Sequence, residues 1–193
     1  MPNIIVTAFE PFNGRNTNIS LEVLKNLKTN AMKKVLPVSW HRARIELSML
    51  FGIGPDVIIL CGEASGREKI ALEEKAVNMM DAKIPDNDGV IMTKQKIYDS
   101  VLELSSNIDC LDIASKVNEK IGKDAVYVSS DAGKYLCNMI YYHTLSIVYG
   151  NTFSTKVVFV HLPVSDKEED IKINYPKALD LIIEEIKNKY AIS

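Results

Sequence analysis

The chain is 193 residues long, 47% hydrophobic and 25% charged, with a formal net charge of -2. That makeup is globular, with mass enough for one buried core, and its mixed charge excludes nucleic acid and anionic membrane as main partners. Apolar runs are strand length, far below the ~20 residues of a membrane helix, and Met1-Pro2-Asn3 has no basic region, so neither a span nor a signal peptide is expected.

In chain order, Ile4 to Thr7 predicts a strand, Ser20 to Leu27 a helix, Lys34 to Val38 a strand and Trp40 to Phe51 a helix. A strand follows at Val57 to Cys61, a helix at Leu111 to Ile121, a strand at Ala125 to Ser129 and a helix at Asn138 to Tyr149. The last pair is the strand Lys156 to Leu162 and the helix Pro176 to Tyr190. Pro176 suits a first helical position, and Ala178, Leu179, Ile182, Ile183, Ile186 and Tyr190 make one apolar face at the 3.6 period. Continuously apolar strands separated by helices predict a sheet covered on both faces. No repeat, low-complexity tract or linker interrupts the pattern, and Asp166 to Asp170 reads as a solvated loop or first helical turn.

In such a sheet functional residues gather at the carboxyl ends of strands, which selects Thr7, Gly62, Ser129 and His161 and places the segments after them on one edge. Beyond Ser129, Ser130 or Asp131 is expected to cap a helix whose first turn holds Cys137. A thiol there lies at the positive end of the helix dipole, which favours the thiolate; the alternative is a small buried hydrophobe. Cys61 reads as a buried or pocket-edge thiol, and nothing near Cys110 suggests activation. Three widely spaced cysteines make no CxxC pair, metal framework or disulfide scaffold, and fit a reducing, cytoplasmic compartment. His41 falls on a predicted amphipathic helix, and His143, six positions after Cys137, is turned away from the thiol. His161 stands apart, because a histidine and a cysteine at one sheet edge are the makings of a thiolate–imidazolium pair.

Four phrases carry a resemblance: Thr7-Ala8-Phe9-Glu10-Pro11-Phe12-Asn13-Gly14, the run Asn78 to Asn87, the segment Ser129 to Asn138, and Phe159-Val160-His161-Leu162-Pro163. In this order, between Ile4 and Pro163, they resemble the pyroglutamyl peptidase I (pyrrolidone-carboxylate peptidase) family of cysteine peptidases, which remove amino-terminal pyroglutamate from peptides. The resemblance implies the nucleophile at Cys137, the general base at His161 and, past the loop Gly62-Glu63-Ala64-Ser65-Gly66-Arg67, the third member at Glu73. It implies no metal or other cofactor, peptides with N-terminal pyroglutamate as substrates, and a homo-oligomer, tetrameric by analogy. With the element pattern it gives the expected fold: one α/β domain over 1–193, a three-layer α/β/α sandwich with a mixed, largely parallel central sheet.

Pyroglutamate is a neutral lactam, so its site should be mostly apolar with one or two amide-directed hydrogen bonds. The resemblance implies Phe9 and Phe12 from the first turn, Ile84, Tyr135 and Leu136 as further lining, and Asn18 as a polar side chain; Glu63 stands where relatives usually have an uncharged residue and still has its backbone to offer. The chain departs from the family pattern at Ala8 and Asn13, where glycines are usual, at Glu74, which replaces a basic residue, and at Lys83, which replaces an arginine. Val90 to Asp109 lacks proline and glycine where relatives carry a loop rich in both, in a region expected to shape the entrance and subunit contacts. The alternative to a peptidase is a non-catalytic or altered-specificity relative that binds a small cyclic amide or a peptide terminus; a generic cysteine amidase is a third reading.

Overall fold

Alternation along the first strand, β1 (Ile4–Phe9), decides how the molecule layers. Ile4, Val6 and Ala8 enter one apolar cluster and Ile5 and Phe9 another, because successive strand side chains point to opposite faces. All six residues are buried, so both faces of the sheet are covered. The computed structural model describes residues 2–192.

The strands that follow are β2 (Met32–Leu36), β3 (Val57–Ala64), β4 (Ile70–Glu73), β5 (Lys75–Val77), β6 (Glu103–Ser105), β7 (Val126–Ser129) and β8 (Lys156–Pro163). Six form one sheet in the order β2-β1-β3-β8-β4-β7, while β5 and β6 pair as a separate antiparallel ribbon. Within the large sheet only β4 against β8 is antiparallel, so the sheet is mixed and largely parallel. Helices α1 (Ile19–Asn26), α3 (Cys110–Ile121) and α5 (Tyr175–Tyr190) cover the face that carries Val6, Ile59 and Val158. Helices α2 (Arg42–Leu50) and α4 (Leu136–Gly150) cover the face that carries Ile5, Leu60 and Phe159. The expected three layers are present.

The ten predicted elements all occur, with ends shifted by at most three residues. The charged run Asp166 to Asp170 leads into a π turn, Asp170–Asn174, directly ahead of α5. β4, β5 and β6 were not predicted, since runs of three or four residues give a period-2 pattern no room to show. Their presence changes the topology. β4 and β7 run against the other four strands, so Ser129 pairs with Glu73, which in turn sits level with Phe159 in mid-sheet. Ser129 therefore does not share the edge reached by the ends of β3 and β8. Thr7 is likewise interior, two residues short of the end of β1.

The start of α4 also differs from expectation. Ser129 Oγ accepts from the Asp131 N–H at 3.2 Å and Asp131 Oδ1 from the Gly133 N–H at 2.9 Å, so these side chains build a local turn rather than a cap. Gly133, at φ 77°, lets the chain reverse. The helix then begins at Leu136, capped by Tyr135 in extended conformation without a side-chain bond, and Cys137 is its second residue.

Helix α4 is apolar on nearly every side because it is covered from outside as well as by the sheet. Asn138 bonds Val77 N, Val77 O and Met79 O at 2.8, 2.8 and 2.9 Å; Tyr142 Oη donates to Val101 O at 2.7 Å and Tyr149 Oη to Ser105 O at 2.8 Å. The divergent segment Val90 to Asp109 thus lies partly across α4, where Tyr98 meets His143 Nδ1 at 2.5 Å. His143 Nε2 lies 3.1 Å from the Arg44 carbonyl and 2.9 Å from Ser48 Oγ. A carbonyl only accepts, so Nε2 carries the proton and Nδ1 accepts from Tyr98: the ring is satisfied when neutral. His41, by contrast, is exposed just ahead of α2.

Burial, joined by the nearby Arg44 charge, lowers His143 to about 4 against the Arg44 carbonyl, which favours the protonated ring. The unfolded chain binds this proton near pH 6.5 and the folded chain does not, so stability is full at pH 7 and falls as pH drops toward 4. The contribution lost is about 3 kcal/mol. Denaturant unfolding of wild type and His143→Gln between pH 7 and 4.5 is expected to show a shallower pH dependence in the variant; parallel curves would refute this role.

Candidate active site

Strand parity puts two ionisable side chains and a bare glycine on one face of the sheet. Gly62 on β3 pairs with His161 on β8, and His161 in turn with Ala71 on β4, two residues before Glu73. Alternation aims Glu73 and His161 to the side of Phe159 and α4 rather than to that of Leu72 and Val160. On an antiparallel pair such diagonal neighbours are within reach of long side chains. Glu73 Oε1 accepts from His161 Nδ1 at 2.7 Å, which leaves Nε2 as the nitrogen available to the cavity.

Glu73 has no solvent exposure, and a buried carboxylate is tolerable only when paired. Its second partner is Arg67, whose Nη2 lies 2.8 Å from the same Oε1. Arg67 also donates to Tyr127 Oη at 2.6 Å and to the Asp131 carbonyl at 2.7 Å, so one guanidinium ties the β3–β4 connection to the loop that precedes the cysteine. Tyr141 Oη donates to the Glu73 carbonyl at 2.8 Å. Tyr141 stands one helical turn beyond Cys137, so the α4 face that carries the thiol is the face bonded to Glu73.

The thiol itself rests over Gly62. A Cβ at that position would come 2.8 Å from Cys137 Sγ and 2.9 Å from the Phe159 ring, so a bare glycine backbone makes the room for sulfur. Burial pushes the Cys137 thiol up to about 12, with Glu73 and Glu63 adding to it while a backbone hydrogen bond and Arg67 pull the other way. The expected ready-made thiolate is therefore not the resting form: desolvation and two carboxylates outweigh one helix terminus. Burial raises Cys61, and it raises Cys110 to about 11; both are buried away from the cavity, whereas Cys137 is half-buried and lines it.

Around the thiol lies a cavity of about 310 Å³ whose walls include Phe9, Phe12, Asn18, Tyr135, Leu136 and His161. Phe12 and Tyr135 line it with ring centroids 6.1 Å apart, and the buried Trp40 backs Tyr135 edge-on at 5.3 Å. Tyr135 Oη donates to the Pro85 carbonyl at 2.9 Å. Ile84, one residue earlier, is half-buried but not among the lining residues, and Lys83 is exposed. Asn18 spends Oδ1 on the Ser20 N–H and hydroxyl, capping α1, and donates one Nδ2 proton to Glu10 O at 3.2 Å; its second Nδ2 proton remains for a ligand.

Sequence reasoning gave no pocket role to the side chains of Arg67 and Glu63, nor to Val38, Ser65 and Asp131, which also line the cavity. Arg67 was visible only as the last letter of a glycine loop, and Glu63 only as a backbone donor or acceptor. Glu74, next to the buried Glu73, is exposed. Among the described residues no three side chains of His, Cys, Asp or Glu converge as a metal site.

The pyroglutamyl peptidase family model matches residues 2–189. A pyrrolidone-carboxylate peptidase of Thermosipho melanesiensis is 32% identical over 192 residues, covering 96% of this chain and 93% of its own. Pyrrolidone-carboxylate peptidase 2 of Caldanaerobacter subterraneus is 34% identical over 169 residues, 83% of this chain and 80% of its own. Among solved structures, a mutant pyrrolidone carboxyl peptidase from Pyrococcus furiosus superposes with a TM-score of 0.86 at 29% identity, covering 97% of this chain and 99% of that one. The enzyme from Thermococcus litoralis gives 0.83 at 30% identity, covering 98% and 96%. With the family model matched over nearly its whole length, and with these relatives on the same fold, the chain belongs to the pyroglutamyl peptidase family.

Proposed function

We propose that this chain hydrolyses the amide bond that follows an amino-terminal pyroglutamyl residue, with Cys137 as nucleophile, His161 as general base and then acid, and Glu73 as the group that holds His161. The observation that carries this reading is the 2.7 Å contact of His161 Nδ1 with a fully buried Glu73, on the sheet face beneath Cys137. Because the thiol rests protonated, His161 Nε2 takes the Sγ proton as sulfur attacks the pyroglutamyl carbonyl. Developing negative charge on the carbonyl oxygen is met by N–H groups of the first turn of α4, which have no partner within the helix. The imidazolium then gives its proton to the leaving amine as the C–N bond breaks. Water adds to the thioester by the same base, and pyroglutamate leaves with the thiol restored. Glu73 stabilises the imidazolium without taking its proton.

Selectivity follows from the walls. A flat neutral lactam fits between Phe9, Phe12, Tyr135 and Leu136, while the Asn18 amide offers a donor for its carbonyl. A free amino terminus would bring an unpaired ammonium to this apolar surface. The purified protein, under reducing conditions, is expected to release a fluorophore from a pyroglutamyl amide and to leave alanyl and prolyl amides essentially untouched. Binding of the pyroglutamyl amide without any hydrolysis would favour the non-catalytic reading instead.

Two adjacent glutamates give a sharper test of the roles. Glu73→Gln is expected to lower turnover by roughly 10⁴, the scale seen when a triad carboxylate is made neutral. Glu74→Gln, altering an exposed side chain, is expected to stay near wild type. Turnover of both variants, with circular dichroism to confirm folding, decides: a dead Glu74→Gln beside an active Glu73→Gln overturns the assignment of the third member.

A further inference from the structure

One charged pair, Glu63 in the cavity wall and Arg15 outside it, has no part in the proposed hydrolysis. Glu63 leaves the end of β3 with a side chain 4% exposed and lines the same cavity as Asn18, Cys137 and His161. A buried carboxylate at this point is out of place beside a site for a neutral lactam, and it opposes negative charge on sulfur or on the carbonyl oxygen. Two groups answer it. The Arg15 guanidinium contacts Oε1, and the Ile19 N–H, in the first turn of α1, donates to Oε2 at 2.9 Å.

One partner lies in the loop after Phe12 and the other in the helix that this loop enters. Between Phe12 and Asn18, each a wall residue, the chain passes through left-handed backbone at Asn13 (φ 54°) and Gly14 (φ 72°), a turn that is strained at the non-glycine residue and needs an anchor. Glu63 supplies it from the sheet, and Arg15, whose side chain is 37% exposed, sits at the solvent side of the contact. A glutamate within one strand step of His161 and an arginine 48 residues away are otherwise unrelated choices. They make sense as a pair.

We propose that Arg15 and Glu63 act as one positioning unit for the peptidase site, clamping the Phe12–Asn18 loop to β3 while Arg15 cancels a carboxylate charge inside the catalytic cavity. The proposal rests on the hydrolytic reading above. Glu63 is one of the two carboxylates that raise the Cys137 thiol, so removal of Arg15 leaves that opposition unscreened. Arg15→Gln is then worse than the absence of the pair, and the double variant Arg15→Gln/Glu63→Gln recovers part of the loss.

The test is the cycle Arg15→Gln, Glu63→Gln and the double variant, read by kcat and KM on a pyroglutamyl amide and by the rate of Cys137 alkylation with iodoacetamide at pH 8. Arg15→Gln is expected to lower kcat/KM roughly tenfold and to slow alkylation of Cys137 roughly threefold. Adding Glu63→Gln should bring the alkylation rate back at least to that of wild type, which a purely structural role would not do. Losses that simply add, or an Arg15→Gln alkylation rate that coincides with wild type, overturn the proposal. Alkylation needs no turnover, so a wild type without peptidase activity defeats the functional reading while this arm still decides the pair.

Discussion

A carboxylate with no exposure to water governs this structure. Glu73 sits in the middle of the sheet, where its charge would cost several kcal/mol if left alone, and stripping one partner from such a site typically costs about 3–5 kcal/mol. The surroundings offset part of that cost. Arg67 reaches it from the β3–β4 connection and His161 from β8, both at Oε1, while Oε2 has no partner among the described residues. Arg67 also holds the loop before α4, through its bond to Asp131 O, and Tyr141 ties α4 to the main-chain carbonyl of Glu73. The proposed catalytic geometry and the packing of this half of the molecule are therefore one set of interactions.

The reversed direction of β4 is the topological means to that end. A parallel β4 would bring its residues to β8 along evenly slanted bonds, whereas the antiparallel pair sets Glu73 and His161 diagonally on one face. It also turns β7 around, so the chain leaves β7 in mid-sheet and must travel back over the face before α4 can begin. That return, made by residues 130–135, delivers Cys137 onto Gly62. Asn138 then locks the arrival by three bonds to the β5 segment.

The long elements were legible in the sequence because each carries enough residues for a period to appear, as in the apolar face from Ala178 to Tyr190. The site was less so. Ile70 to Glu73 is too short and ends in a charge, so nothing in its pattern marks a strand; Glu73 was found only through resemblance to family motifs. Ser130 and Asp131 looked like helix caps because composition does not distinguish a cap from a local turn three residues earlier. The position of Cys137 in a first turn was readable, but the burial that raises its thiol depends on Gly62, Glu63 and Glu73 arriving from elsewhere in the chain. The pair of Arg15 with Glu63 was invisible for the same reason, since neither residue has a local signature. Tertiary juxtaposition, not propensity, supplies what was missed.

The central claim is that an ionic acceptor at Glu73 holds the proton of His161 on Nδ1. Proton NMR of the ¹⁵N-histidine-labelled protein tests it directly, because an imidazole N–H bonded to a buried carboxylate exchanges slowly and resonates far downfield. The account predicts one such nitrogen-coupled signal, assigned by its loss in His161→Gln and absent or moved upfield in a folded Glu73→Gln variant. A signal unchanged in Glu73→Gln would contradict it, for His161 would then owe its orientation to some other group.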